Sequence, residues 1–227
     1  MKIHRFYTPD IHLGQECWIH QAELLHQWNK VLRFRVGQQV VLFDGVKHDR
    51  LYEITDLNPK EARLVHITDY SRSTPTQDIY LFWSLLKKDK NDWVLQKGTE
   101  LGVRHFIPIL ADRSEKTGFN HERAEKIIIE AAEQCGRSDI PNIREPLPVD
   151  KAIDQYKDKV SLYICEQDGE ELSIKDGPRG VFIGPEGGWS DIEKEFFERI
   201  SMSHLTIHDF TLRAETAAIT SVVRLLQ

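Results

Sequence analysis

The stretch Val181-Phe182-Ile183-Gly184-Pro185-Glu186-Gly187-Gly188-Trp189-Ser190-Asp191-Ile192-Glu193 decides how this chain is read. An apolar run enters a turn holding three glycines and a proline, and Ser190 with Glu193 then has the capping-box spacing that opens an amphipathic helix. Glycines in such a turn permit positive φ and let a ligand come close to the main chain. A bare strand-to-helix turn is the alternative reading. Neither G-x-G-x-x-G nor G-x-x-x-x-G-K-[ST] occurs in the chain, which excludes the usual dinucleotide and nucleoside-triphosphate cradles. A ligand here would be held by backbone groups after a strand, in some other way.

Working outward, apolar runs at 79–85, 106–110, 161–165, 180–184 and 205–207 read as strands alternating with helices. That alternation is the mark of a parallel sheet with crossover helices. Within His121–Cys135, the residues Ala124, Ile127, Ile128, Ala131, Ala132 and Cys135 form one helical stripe that Gly136 stops. The last segment repeats the spacing with Ala214, Ala217, Ala218, Ser221, Val222 and Leu225, small residues that let a neighbouring helix or backbone approach closely.

Upstream, the small polar run Ser71-Arg72-Ser73-Thr74-Pro75-Thr76 reads as a linker. Before it, short β-branched and aromatic runs at 39–43, 51–55 and 62–67, with the turn signal Asp44-Gly45, predict a small β-barrel, and one short helix is expected at 22–32. The expected fold class is therefore α/β: a small β-barrel domain over 1–70, a linker at 71–76 and an α/β domain with a mostly parallel sheet over 77–227.

Of the 227 residues, 40% are hydrophobic and 29% charged, with a formal net charge of −6. A net negative charge argues mildly against nucleic-acid binding, but the distribution matters more. Residues 1–70 carry 9 basic and 9 acidic side chains, and 24–43 hold Lys30, Arg33 and Arg35 with no acid. These three, with Arg5 beside His4 and Tyr7, are candidate phosphate contacts, each of them alone being equally consistent with a solvated surface. No apolar run is long enough to span a bilayer and the N-terminus lacks an apolar signal stretch, so no membrane contact and a cytoplasmic location are expected. Cys17, Cys135 and Cys165 are scattered, without C-x-x-C spacing, and read as buried reduced thiols. His204 and His208 are four apart but flank an expected strand and lack the H-E-x-x-H glutamate, so no metal site is expected.

The glycine loop Ile183–Ser190, followed downstream by Leu212-Arg213-Ala214-Glu215-Thr216-Ala217-Ala218, resembles the signature of the RsmE-type ribosomal RNA uridine-N3 methyltransferases of the knotted SPOUT superfamily. The resemblance covers nearly the whole chain. It includes His4-Arg5-Phe6-Tyr7, Lys30-Val31-Leu32-Arg33, Val36-Gly37, Phe43-Asp44-Gly45, Gln96-Lys97, Thr99-Glu100-Leu101-Gly102-Val103, Arg113-Ser114 and Glu130-Ala131-Ala132-Glu133-Gln134-Cys135-Gly136-Arg137.

The resemblance implies an RNA-holding barrel similar to a PUA domain and a C-terminal domain whose tail is threaded as a trefoil knot. It also implies a homodimer, S-adenosylmethionine as cofactor, and a uridine N3 of small-subunit (16S-type) ribosomal RNA as acceptor. The implied cofactor-binding residues are Ile183, Gly184, Pro185, Glu186, Gly187, Gly188, Ile207, His208 and Leu212. Where family members usually have Leu-Gly-x-Arg-Ile-Leu-Arg, this chain reads Ile207-His208-Asp209-Phe210-Thr211-Leu212-Arg213, losing a glycine and an arginine.

An activated sulfonium methyl needs alignment rather than an enzymic nucleophile, but the imide proton of uracil N3 must leave. Arg213 is the candidate cation for the developing uridinate and Glu186 or Glu215 the candidate proton acceptor; a first-turn carboxylate favoured by the helix dipole is the plainer reading of Glu215. A knotted methyltransferase acting on another RNA position, or a ribosomal RNA-binding assembly factor that has lost catalysis through the His208 and Phe210 changes, are the competing expectations.

Overall fold

A computed structural model describes residues 3–114, 118–166, 174–207 and 210–227. The chain divides into two compact units, Met1–Thr74 with Ala132–Ile140, and Pro75–Ala131 with Pro141–Gln227. The excursion of 132–140 into the first unit has no counterpart in a linear division at 71–76.

The first unit is built on a five-stranded sheet in the order β1-β3-β4-β5-β2, from β1 (His4–Tyr7), β2 (Glu16–Ile19), β3 (Gln39–Phe43), β4 (Asp49–Leu57) and β5 (Ala62–Asp69). β1 lies parallel to β3 and the other pairings are antiparallel. Phe6, Ile19, Leu25, Trp28, Val40, Leu42, Tyr52, Ile54 and Leu64 close its core. The helix expected at 22–32 is α1 (Ala22–His26) running into a widened turn at Gln27–Val31. There the Leu32 N–H reaches back to the Gln27 carbonyl, a π-type step that buries Trp28 and leaves Lys30 exposed.

The second unit holds the parallel sheet. Its elements are β6 (Ile79–Ser84), α2 (Lys88–Glu100), β7 (His105–Leu110), α3 (His121–Cys135), β8 (Asn142–Ile143), β9 (Leu147–Pro148), α4 (Val149–Tyr156), β10 (Ser161–Cys165), β11 (Arg179–Ile183), α5 (Asp191–Arg199), β12 (Ser203–Leu205) and α6 (Ala214–Leu225), the end of α3 belonging to the first unit. The order is β12-β10-β11-β6-β7-β8, with β9 beside β7, and every pairing is parallel. β11 is buried along its whole length and β6 at every residue but half-buried Tyr80, as a sheet covered on both faces requires. Phe82 and Phe182 stack face to face at 4.4 Å on neighbouring strands. Gly180 makes room for this pair, since a Cβ there would stand 2.6 Å from the Phe82 ring.

The stripe read on the last helix is the buried face of α6: Ala214, Ala217, Ala218, Ser221, Val222 and Leu225 are all buried, and α6 packs on α2, β11 and β6. Its C-terminal carbonyl at Leu225 accepts a 2.6 Å hydrogen bond from buried Arg179 at the start of β11. The strand expected at 205–207 lies two residues earlier, because Ser203, His204 and Leu205 are the residues in register with Tyr163, Ile164 and Cys165. Ile207 is therefore past the strand end. The cysteine expectation needs a similar correction: Cys17 is buried, but Cys165 is half-buried and Cys135, on the last turn of α3, is exposed. Among the described residues no helix is long and apolar enough to cross a membrane, and no cluster of three metal-ligating side chains occurs.

Candidate active site

At the carboxyl ends of β10 and β11 lies an open cleft of about 730 Å3, in the size range of small-molecule sites. One wall is the glycine turn from Gly184 to Trp189. The other is the segment Phe210–Ala214 with Ile207 and Ala217, and Arg113, Cys165, Glu166 and Lys194 complete the rim. Both walls belong to the second unit.

Local chemistry fixes the glycine turn. The Ser84 hydroxyl donates to the Ile183 carbonyl at 2.9 Å, anchoring the strand end. The Gly188 N–H then closes a turn on the Pro185 carbonyl at 2.9 Å, with Gly188 at φ +67°, the left-handed region. Gly184 faces the Trp189 indole, and a Cβ there would lie 3.1 Å from the ring nitrogen. Trp189 is itself buried against Phe197. The capping box forms as expected, with the Glu193 N–H donating to Ser190 Oγ and the Ser190 N–H to Glu193 Oε2. Buried Glu193 also accepts from the Asp112 N–H at 2.9 Å, and Ser190 Oγ donates to Asp112 at 2.6 Å, so the loop after β7 is tied to the turn. From that loop, the Arg113 guanidinium donates to the Gly187 carbonyl at 3.1 Å.

Of the residues singled out from the sequence, Ile183, Gly184, Pro185, Glu186, Gly187, Gly188, Ile207, Leu212 and Arg213 all line this one cleft. His208 lies outside the described residues. Arg213 is the exposed N-cap of α6, its carbonyl accepting from the Ala217 N–H at 2.8 Å. Glu215 follows in the first turn, half-buried, with Oε2 buried and without a hydrogen bond among the described residues.

Glu186 and Glu215, separate in sequence, converge on a residue the sequence reading did not select: Lys90 Nζ stands 2.7 Å from Glu186 and 3.5 Å from Glu215. The hydrogen bond from Lys90 holds the Glu186 carboxyl below the ordinary carboxylate range, and the same bond raises the lysine. Lys90 was hidden in the charge run Lys87-Lys88-Asp89-Lys90, which reads locally as a solvated helix start. Arg113 stood within a quoted motif without a role. Glu166 carried no signal at all; it pairs with His204 at 3.0 Å on the cleft rim.

On the first unit Lys30, Arg33 and Arg35 are exposed, with the apolar side chains Val31 and Val36 bared beside them. Arg33 sits at φ +55°, a left-handed conformation costly for a residue with a Cβ. Arg5 corrects the expectation for that group. Its guanidinium is turned inward, ion-paired and hydrogen-bonded to fully buried Asp49 and stacked over Phe43 at 5.1 Å. A buried charge is costly without such a partner, and the Arg5 guanidinium is engaged inside its own unit rather than held out to solvent.

A parallel sheet ending in a glycine-turn cleft, with a small β-unit before it, defines the class: residues 72–226 match the family described as RNA methyltransferase domain, and residues 30–65 the RNA methyltransferase PUA domain. The chain is similar along its whole length to a ribosomal RNA small subunit methyltransferase E from Rickettsia conorii, at 30% identity over 97% of that protein. A Bacillus subtilis protein of the same name is 27% identical over 86% of this chain and 84% of its own. Among solved structures, ribosomal RNA small subunit methyltransferase E of Neisseria gonorrhoeae bound to S-adenosylmethionine superposes with a TM-score of 0.90, at 25% identity, covering 99% of this chain and 97% of that one. A Legionella pneumophila methyltransferase in complex with the same cofactor gives 0.89 at 27% identity, with the same coverage. The chain belongs to the ribosomal RNA small subunit methyltransferase E family, with the SPOUT-type α/β fold and a PUA-like N-terminal unit.

Proposed function

We propose that this chain methylates N3 of a uridine in small-subunit ribosomal RNA, with S-adenosylmethionine held in the cleft between the glycine turn and the segment before α6. The single observation that carries this reading is that cleft: nine residues from two distant stretches, chosen from sequence, line one cavity of suitable volume. The residues present fit the cofactor. Gly188, where a Cβ would meet nothing within 4 Å, leaves main chain uncovered for close approach, Ile183, Ile207 and Leu212 offer apolar surface, and carboxylates and guanidiniums on the rim match its mixed charge. The related proteins solved with this cofactor support the same assignment.

When bound, the cofactor supplies a methyl group already activated on a sulfonium. What remains for the protein is orientation, charge and the imide proton. Ile183, Gly184, Pro185, Gly187, Gly188, Ile207 and Leu212 shape the binding walls. Arg213, exposed at the mouth of the cleft, stabilises the negative charge that develops on the uracil ring as N3 loses its proton. Glu186 and Glu215 are the carboxylates at hand for that proton. Glu186, held below the ordinary carboxylate range by Lys90, is a weak acceptor because a general base works best near the operating pH. Lys30, Arg33 and Arg35 hold RNA phosphates on the first unit. We further propose a homodimer and a C-terminal tail threaded through the loop that precedes it, as the family resemblance implies.

The test is methyl transfer from isotope-labelled S-adenosylmethionine to small ribosomal subunits and to naked ribosomal RNA, read by nucleoside mass analysis. Methyl at uridine N3 is expected; methyl on another base or on ribose would overturn the acceptor, and no transfer by a protein that binds no cofactor would favour the assembly-factor reading. Replacing Arg213 by Ala is expected to lower kcat about a hundredfold with cofactor affinity retained, and unchanged turnover would remove Arg213 from the mechanism.

A further inference from the structure

Lys90 sits in the first turn of α2, where the helix dipole disfavours a cation. Its place is explained by what it reaches. One ammonium touches Glu186 on the glycine turn at 2.7 Å and Glu215 in the first turn of α6 at 3.5 Å. These two carboxylates stand on, or directly behind, the two walls of the cleft; Lys87 also acts on Glu186, but among the described residues Lys90 is the cation in ion-pair range of both. The platform that carries the lysine is rigid. Asn91, the next residue, accepts from the Leu86 N–H and the Trp83 indole N–H at 3.0 Å each and donates to the Leu86 carbonyl at 2.7 Å. The start of α2 is thereby fixed to the end of β6, and β6 is paired with β11.

We propose that Lys90 is a positioning residue that ties the two cleft walls together and so sets the affinity for S-adenosylmethionine. The inference rests on the donor-site reading of the cleft. Its physical basis is charge balance: without the ammonium, two carboxylates would face each other across the gap, and their repulsion would push the glycine turn away from α6. The contact to Glu215 is long and its Oε2 has no hydrogen bond among the described residues, so the tie has slack that closure of the walls would take up. Lys90 need not touch the reacting atoms to do this.

The experiment measures S-adenosylmethionine affinity by calorimetry, and KM for the cofactor and kcat on ribosomal RNA, for the wild type, Lys90→Met, Lys90→Arg and the double variant Lys90→Met with Glu186→Gln. Lys90→Met is expected to weaken cofactor binding about tenfold, as lost ion pairing plus carboxylate repulsion predicts. KM for the cofactor should rise by the same factor while kcat at saturation changes less. Lys90→Arg should restore most of the affinity, and the double variant should bind better than Lys90→Met alone, because one of the opposed charges is gone. Glu215→Gln, which preserves shape, should shift affinity in the same direction as Lys90→Met should that variant fold poorly. Wild-type protein that binds no S-adenosylmethionine would overturn the donor-site reading and this inference with it. Wild-type protein that binds while Lys90→Met binds equally well, or a double variant weaker than Lys90→Met, would overturn the tie and leave the donor site standing.

Discussion

The two units use charge in opposite ways. In the N-terminal unit the charges of greatest structural weight point inward: fully buried Asp49 is paired with Arg5, accepts from the Ser138 hydroxyl at 2.6 Å and has the Arg72 guanidinium 3.8 Å away. In the second unit the buried charges Glu193 and Arg179 serve backbone groups, of the turn and of the α6 end. A further group, Lys90, Arg113, Glu166, Glu186 and Arg213, gathers at the mouth of one cleft or in contact with it. A carboxylate locked in an interior network is a folding device, and one at a cleft rim is available to a ligand.

The largest expected effect tests the first half of that contrast. Asp49→Ala leaves the Arg5 guanidinium without its buried partner and should cost about 3–5 kcal/mol. Thermal unfolding and amide exchange in β3 and β4 would read it, while S-adenosylmethionine affinity at low temperature should be unchanged. An equal loss of cofactor affinity would erase the distinction between the units.

A second, intermediate effect comes from titration of the first unit's core. Burial pushes the Cys17 thiol up to about 11 and the Tyr52 hydroxyl up to about 12. Both groups are therefore neutral in the folded unit where the unfolded chain would ionise them. Their stabilising contribution is complete below about pH 9, the ordinary thiol value being 9.0, and is lost as pH rises through 11 and 12. Exchange in β2 and β4 should accelerate over that window before exchange in β11 does, and Cys17→Ala should flatten the lower part of the transition. Simultaneous acceleration in both units would argue that the thiol is irrelevant.

The smallest effect sharpens the outward-facing exception. Lys30, Arg33 and Arg35 are charges of the first unit that do face solvent. Reversing Arg33 and Arg35 to Glu together should weaken RNA binding about tenfold at moderate salt and lower the salt slope by about 2. Filter binding at several salt concentrations would show this, and an unchanged slope would remove the patch from the RNA site.

How much of this was legible in the sequence follows the range of the interactions. α3 was read at its observed bounds, His121–Cys135, and the Ser190–Glu193 capping box was read outright, because both are written in residues a few positions apart. The buried face of α6 was legible for the same reason. Strand ends were not, since the register of β12 with β10 is set by pairing partners forty residues away. The inward turn of Arg5 depends on Asp49 and the convergence on Lys90 depends on Glu186 and Glu215, long-range meetings that local pattern does not encode. The cleft itself was found through the resemblance of two short motifs; periodicity would have placed the strand and the helix but not shown that Ile207 and residues 210–214 face the turn.

The most direct test of the account is a crystal structure of this protein grown with S-adenosylmethionine. The donor should lie between the Gly184–Trp189 turn and the 207–214 segment, with the tail passing through the preceding loop and Arg213 facing the open side. A donor stretched along an uncovered sheet edge, or seated in the basic cavity at the opposite strand ends around Lys157, Lys159 and Lys175, would contradict it.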